Sequence, residues 1–189
     1  MRMSEKRTEP DLLAECRNGS RLAFELLYQT HQRRVFSVAL HFFGGNRTAA
    51  EDATQAVFLK IFNKIGDFRG ASALTTWIYR MTVNVCIDEQ RRTRRFFSLE
   101  NFFGERGTKK GADEKFERRE RADEVQKAIG ALKEKYRLPI LLKYSEGLSY
   151  EEIARVLDCS IGTVSSRLNR GHKMLAEKLK HLKNEFSRG

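Results

Sequence analysis

"LSYEEIARVLDCSIGTVSSRLNRGHKML", Leu148 to Leu175, decides the fold of the chain that contains it. Gly147 precedes it and ends the helix before. Ser149 can cap a helix N-terminus, and Glu152 stands three residues on, where its carboxylate reaches back to the cap's own N–H. Ile153, Val156 and Leu157 give this short helix one apolar face, and Ala154 is small where a crossing helix approaches. "DCS", Asp158 to Ser160, makes a tight turn, with Ser160 available as the next cap. Ile161, Val164, Leu168 and Leu175 then form the buried stripe of a longer helix. Between them Thr163, Ser165, Ser166, Arg167, Asn169, Arg170 and Lys173 are polar and hydrogen-bonding. This is the pattern of a helix-turn-helix. A major groove admits a helix, and Arg, Asn, Ser and Thr read its base edges. From Arg167 to Lys183 the exposed face is nearly all basic, Glu177 excepted. An ordinary helical hairpin with a solvated polar face shares the periodicity, but not the agreement of cap, turn and small-residue signals.

Outward from this stretch the chain stays helical. Its 189 residues suit one large domain or two small ones, and 40% apolar content can build a core. Only two prolines occur, and strand-like alternation is scarce. From Asp11 to Phe43, apolar residues such as Phe24, Leu27, Tyr28, Val35, Ala39 and Leu40 recur at helical steps. Gly44-Gly45 breaks the pattern, a helix runs from about Thr48 to Ile65, and "GDFRGASA" breaks it again. "ALTTWIYRMTVNVCIDEQRRTRR", Ala73 to Arg95, follows. Trp77, Ile78, Met81, Val85 and Ile87 face inward, while Arg91, Arg92, Arg94 and Arg95 face out. Phe96 to Arg121 mixes glycine with charge of both signs and reads as a linker, unusual in carrying Phe96, Phe97, Phe102 and Phe103. Helices resume near Asp123, with Pro139 expected in the first turn of its helix, where a missing N–H costs little. The expected fold is all-α: two small helical domains, 10–95 and 122–184, joined by a charged linker, 96–121, the C-terminal domain a helix-turn-helix.

A net charge of +11, from 36 basic and 25 acidic residues, favours a polyanionic partner, nucleic acid first and an acidic membrane surface second. The opening residues carry no apolar leader, and no run approaches roughly 18 apolar residues, so no integral membrane segment is expected and the chain reads as cytoplasmic. Cys16, Cys86 and Cys159 lie far apart and suggest neither a metal site nor a disulfide framework, but thiols of which two are core residues. His31, His41, His172 and His181 lack a partner at useful helical spacing, and no phosphate-cradling loop occurs. No catalytic residue, metal or cofactor is expected. Glu51 and Asp52 read as acids near a helix N-terminus.

Two longer stretches carry a resemblance. "AAEDATQAVFLKIFNKIGDFRGASALTTWIYRMTVNVCIDEQRR", Ala49 to Arg92, resembles region 2 of the extracytoplasmic-function sigma factors of bacterial RNA polymerase. "EKYRLPILLKYSEGLSYEEIARVLDCSIGTVSSRLNRGHKML", Glu134 to Leu175, resembles region 4 of the same group. The two are collinear and in the family's order. The resemblance implies an alternative sigma factor that binds core RNA polymerase and selects promoter DNA. It places core docking on Asp52, Gln55, Phe58 and Leu59, with Ala56 departing from the glutamate often found there. It places recognition and melting of the −10 element on Phe68, Arg69, Asn84, Arg91 and Arg92. The loop "DFRGAS" would pocket a flipped base, Asn84 would offer its amide to a base edge, and the arginines would meet phosphates. It places −35 contacts on Gly162, Thr163, Ser165, Ser166, Arg167 and Arg170, with Ser165 where the family often has a basic residue. It also implies an inhibitory anti-sigma factor as a partner.

Two other readings stand beside this one. A free-standing helix-turn-helix regulator would bind DNA alone, usually as a dimer, and the sequence has no obvious dimer helix. An enzyme acting on DNA would need clustered carboxylates or a nucleophile beside the basic face, and the sequence offers none.

Overall fold

The computed structural model describes residues 8–99, 122 and 124–180, with the backbone alone for 94–99. Thr8 opens helix α1 (Glu9–Arg17) with a reciprocal cap: its hydroxyl accepts from the Asp11 N–H, and the Asp11 carboxylate accepts from the Thr8 N–H. The helix ends at Asn18, and Gly19 turns the chain at φ +79°, where a side chain would be strained. Ser20 then caps α2 (Arg21–Phe42). The periodicity from Asp11 to Phe43 thus spans two helices rather than one. Cys16 and Ala23, both buried, stand two helical turns apart across the corner, so apolar spacing alone does not reveal it.

Asn46 caps α3 (Arg47–Lys64), a 3-10 turn covers Ile65–Asp67, and α4 runs Leu74–Leu99, past the expected boundary at Arg95. Leu27, Val35 and Phe42 of α2, Val57 and Ile61 of α3, and Leu74, Ile78 and Val85 of α4 build the first core. The rest of the linker and its phenylalanine side chains lie outside the described residues.

The second half holds a helix over 124–130 (α5), then α6 (Glu134–Tyr144), α7 (Tyr150–Leu157) and α8 (Ile161–Lys178). Pro139 lies inside α6, one turn deeper than expected, so α6 forgoes one ladder bond there. Leu141, Leu142, Ile153, Val164 and Leu168 are the buried apolar residues of this half, and they are continuous with the core of the first. Gly171 lets α8 close on α6: a Cβ there would lie 2.6 Å from Ile140 Cδ1 and 3.3 Å from the Tyr136 carbonyl oxygen. Lys183 and the end of the expected second domain lie outside the described residues.

The two helical domains touch. Helix α4 packs on α2 and α3 with one face and on α7 with another, and α2 meets α6. That is why α4 buries Tyr79, Thr82, Val83 and Cys86 beyond the single inward stripe read from sequence, while Trp77, Met81 and Ile87 are only half-buried.

Candidate functional site

Helix α3 presents Asp52, Gln55 and Leu59 on one exposed face, because steps of three and four residues return to the same side. Leu59 is 66% exposed. Phe58 is not part of that face: it is 4% exposed and meets the Tyr28 ring edge-on at 4.6 Å. It positions the stripe from beneath. The stripe extends to Phe62, 55% exposed, whose ring meets Phe24 of α2 at 4.9 Å. Leu22 and Leu26 of α2 are also exposed. Phe62 is absent from the docking residues that the resemblance implies, although the three- and four-residue step through Asp52, Gln55 and Leu59 leads to it. Glu51 and Asp52 fall beyond the first turn of α3, where the helix dipole no longer explains them. Glu51 instead pairs with Arg47 at 2.8 Å.

The loop between α3 and α4 is pinned at Phe68. Its ring is 6% exposed and lies 5.3 Å from Trp77, and its carbonyl accepts from the Arg17 guanidinium. A ring so buried cannot stack on a base in this conformation; it holds the loop so that its neighbour Arg69 stands exposed. On α4, Asn84 and Arg91 are exposed and two turns apart on one side, with Arg92 beside them paired to Glu89 at 2.8 Å. Arg94 and Arg95 have no described side chains.

The helix-turn-helix forms as the sequence indicates. Ser149 and Glu152 make a reciprocal cap on α7, and Asp158 ends the helix at φ +48°. Ser160 caps α8 by accepting from the Thr163 N–H at 3.1 Å. Gly162, Ser165, Ser166 and Arg170 are exposed on α8, while Thr163 and Arg167 are half-buried. Ile161 is not in the buried stripe but 47% exposed, because it is the first residue of α8, clear of the helices it would pack on. The Thr163 hydroxyl is engaged with Ser160 at 2.9 Å, and the Ser166 hydroxyl donates to the Thr163 carbonyl at 3.0 Å. Arg170 hydrogen-bonds the Tyr136 phenol and lowers its pKa. Arg167 points back to within 3.8 Å of Cys159 Sγ. Two of the thiols are packed away: Cys86 is pushed up to about 12 by burial, and burial raises Cys16 as well. Thiols held protonated are unreactive.

Two family models match the chain, Sigma-70 region 2 over residues 27–96 and Sigma-70 region 4 over residues 122–175. The sigma-E factor of Haemophilus influenzae, an ECF RNA polymerase sigma factor, is 31% identical over 95% of this chain and 100% of its own length. The chain belongs to the extracytoplasmic-function group of sigma-70 factors. The sigma-H factor of Pseudomonas aeruginosa is 31% identical over 94% of this chain and 96% of its own. Among solved structures, the sigma factor RpoE of Bartonella quintana, held by the anti-sigma factor NepR, shares the fold at TM-score 0.65 and 24% identity, covering 83% of this chain and 96% of that one. CnrH in complex with the cytosolic domain of CnrY does so at TM-score 0.64 and 24% identity, covering 90% and 96%. As a sigma factor the protein is a transcription initiation factor and not an enzyme.

Proposed function

We propose that this alternative sigma factor docks on core RNA polymerase through the outer face of α3. Asp52 and Gln55 supply the polar rim, and Leu59 and Phe62 supply the apolar centre, extended by Leu22 and Leu26 of α2. Phe58 supports that face from the core. The observation that carries the reading is the exposure of four large apolar residues, Leu22, Leu26, Leu59 and Phe62, on the adjoining helices α2 and α3. Promoter selection follows from two basic helical surfaces. Asn84 and the Arg69 loop address the −10 element, and Arg91 and Arg92 hold phosphates. Gly162, Thr163, Ser165, Ser166, Arg167 and Arg170 of α8 address the −35 element in the major groove. An anti-sigma factor that covers the apolar α2–α3 face would keep the protein from polymerase. The protein acts in the cytoplasm; among the described residues no helix is long and apolar enough to cross a membrane.

Co-migration with core polymerase on a sizing column tests the docking face. Wild type shifts to the polymerase fraction; Asp52→Ala/Gln55→Ala and Leu59→Ser shift less at unchanged melting temperature, since all three side chains are exposed. Equal shifts for wild type and both variants would remove α3 as the docking element. Failure of wild type to bind, where another sigma factor binds, would leave a solitary DNA-binding regulator.

A further inference from the structure

The loop between α3 and α4 carries Arg69, assigned above to the −10 element, and its exposed tip hangs from Phe68. Three groups of that residue are engaged. Its N–H donates to the Ile65 carbonyl at 3.3 Å, which closes the 3-10 turn. Its ring packs on Trp77 near the start of α4. Its carbonyl accepts from the Arg17 guanidinium. The first two anchors come from the loop's own flanks, whereas the third comes from α1, 51 residues earlier in the chain. Asp67, Arg69, Gly70 and Ala71 around it are exposed. Beyond Phe68, the next backbone hydrogen bond among the described residues is that of the Trp77 N–H to the Ala73 carbonyl, at 3.2 Å.

Arg17 reaches that carbonyl from a fixed base. It is the last residue of α1, whose Leu13 and Cys16 are buried, and α1 packs on both α2 and the 3-10 turn at Ile65–Asp67. The Thr8–Asp11 cap closes one end of α1, and the turn at Asn18 and Gly19 closes the other. A guanidinium is planar and always charged, so its bond to a carbonyl is both directional and charge-assisted. The carbonyl oxygen of one residue and the N–H of the next share a single plane. Holding the Phe68 oxygen therefore holds its ψ, at 111°, and with it the course on which the chain enters Arg69. Gly70 follows at φ +73°, so the tip turns directly from that course. The ring anchors the side chain of Phe68, and Arg17 anchors the peptide plane after it.

We propose that Arg17 is a positioning residue for −10 recognition: by holding the Phe68 carbonyl it sets the plane from which Arg69 is presented to a base that leaves the duplex. The inference rests on the −10 reading proposed above. Arg17 lies outside the Sigma-70 region 2 match, which begins at residue 27, and outside the residues that the resemblance assigns to DNA. The competing role for an exposed arginine on a chain of charge +11 is a phosphate contact of its own. The two roles disturb different things. A phosphate contact adds affinity for any sequence and steepens the salt dependence. A positioning contact alters the reading of those bases that the loop addresses. The guanidinium already engaged with Phe68 favours positioning.

The test uses wild-type and variant protein with core polymerase, on a promoter that the wild-type holoenzyme opens and on copies substituted one base at a time through the −10 element. Opening is followed by the permanganate reactivity of unpaired thymines. Arg69→Ala identifies the positions that the loop reads. At those positions Arg17→Ala is expected to cut the preference for the native base from about tenfold or more to about threefold or less. Co-migration with core polymerase and the slope of DNA binding against salt should stay as in wild type. Arg17→Lys keeps the charge and a donor, and is expected to recover part of the preference. Arg17→Ala/Arg69→Ala is expected to lose no more than Arg69→Ala alone, since both act through one side chain. Full preference in Arg17→Ala, beside lost preference in Arg69→Ala, overturns the inference and leaves the −10 reading intact. An equal loss on every sequence with a salt slope shallower by about one, the mark of a phosphate contact, also overturns it. If Arg69→Ala itself keeps every preference, the loop's −10 reading falls and takes this inference with it. Should Arg17→Ala fail to fold, Arg17→Met, which keeps the aliphatic stem, is judged by the same outcomes.

Discussion

His31 occupies a core position on α2, one turn after Leu27 and one before Val35. Burial favours its neutral form and lowers its pKa below 6.5; Arg34 adds to that, and Glu9 opposes it. The unfolded chain then binds more protons than the folded one once the pH drops through the unfolded value of 6.5, so stability falls on acidification. Above that pH both states hold a neutral ring and the residue adds no slope. Urea midpoints measured between about pH 7.5 and 5.5 should fall for wild type and fall less for His31→Gln. Identical slopes would mean that the imidazole charges freely in the folded protein. At this scale the sequence is legible where exposure follows from helical spacing, as for Asp52, Gln55 and Leu59. It misleads where an aromatic fits both a core and a surface. Phe58 and Phe68 each serve the core, and nothing in their spacing separates them from Phe62, which does not. Arg137 was unreadable because two of the groups that stabilise it, the Phe42 carbonyl at the end of α2 and the Gln90 side chain, come from far away in the chain.

Elements were legible wherever a local signal terminates them. The caps at Ser149 and Ser160 and the break before α3 depend on neighbouring residues alone, so they appear in the sequence as they do in the fold. The corner at Gly19 is hidden because apolar spacing continues through it, and Pro139 sits deeper in α6 because that helix begins at Glu134. Gly171 shows how packing decides an element's residue. Alanine would favour the helix by ~1 kcal/mol. Its methyl would also press on Ile140 and on the Tyr136 carbonyl, a backbone atom that cannot turn aside, at a cost of ~1–3 kcal/mol. Gly171→Ala should therefore lower the urea midpoint and weaken −35 binding as α8 moves away from α6. A midpoint equal to or above wild type would show that α6 yields without cost.

For the whole molecule, composition indicated a basic, all-α, nucleic-acid-directed chain, and two motifs in order indicated the family. How the halves meet was not legible, because the seam joins residues such as Phe42 and Arg137, ninety-five positions apart. A charge of +11 draws both halves to DNA, so association should weaken steeply with salt. The most direct test of the sigma reading is run-off transcription by core polymerase on fragments of the chain's own genome, with and without the protein. The account predicts discrete start sites only when the protein is present, and shared sequence near −10 and −35 upstream of them. A protein that binds core yet yields no start above core alone, on a preparation that another sigma factor activates, would contradict it.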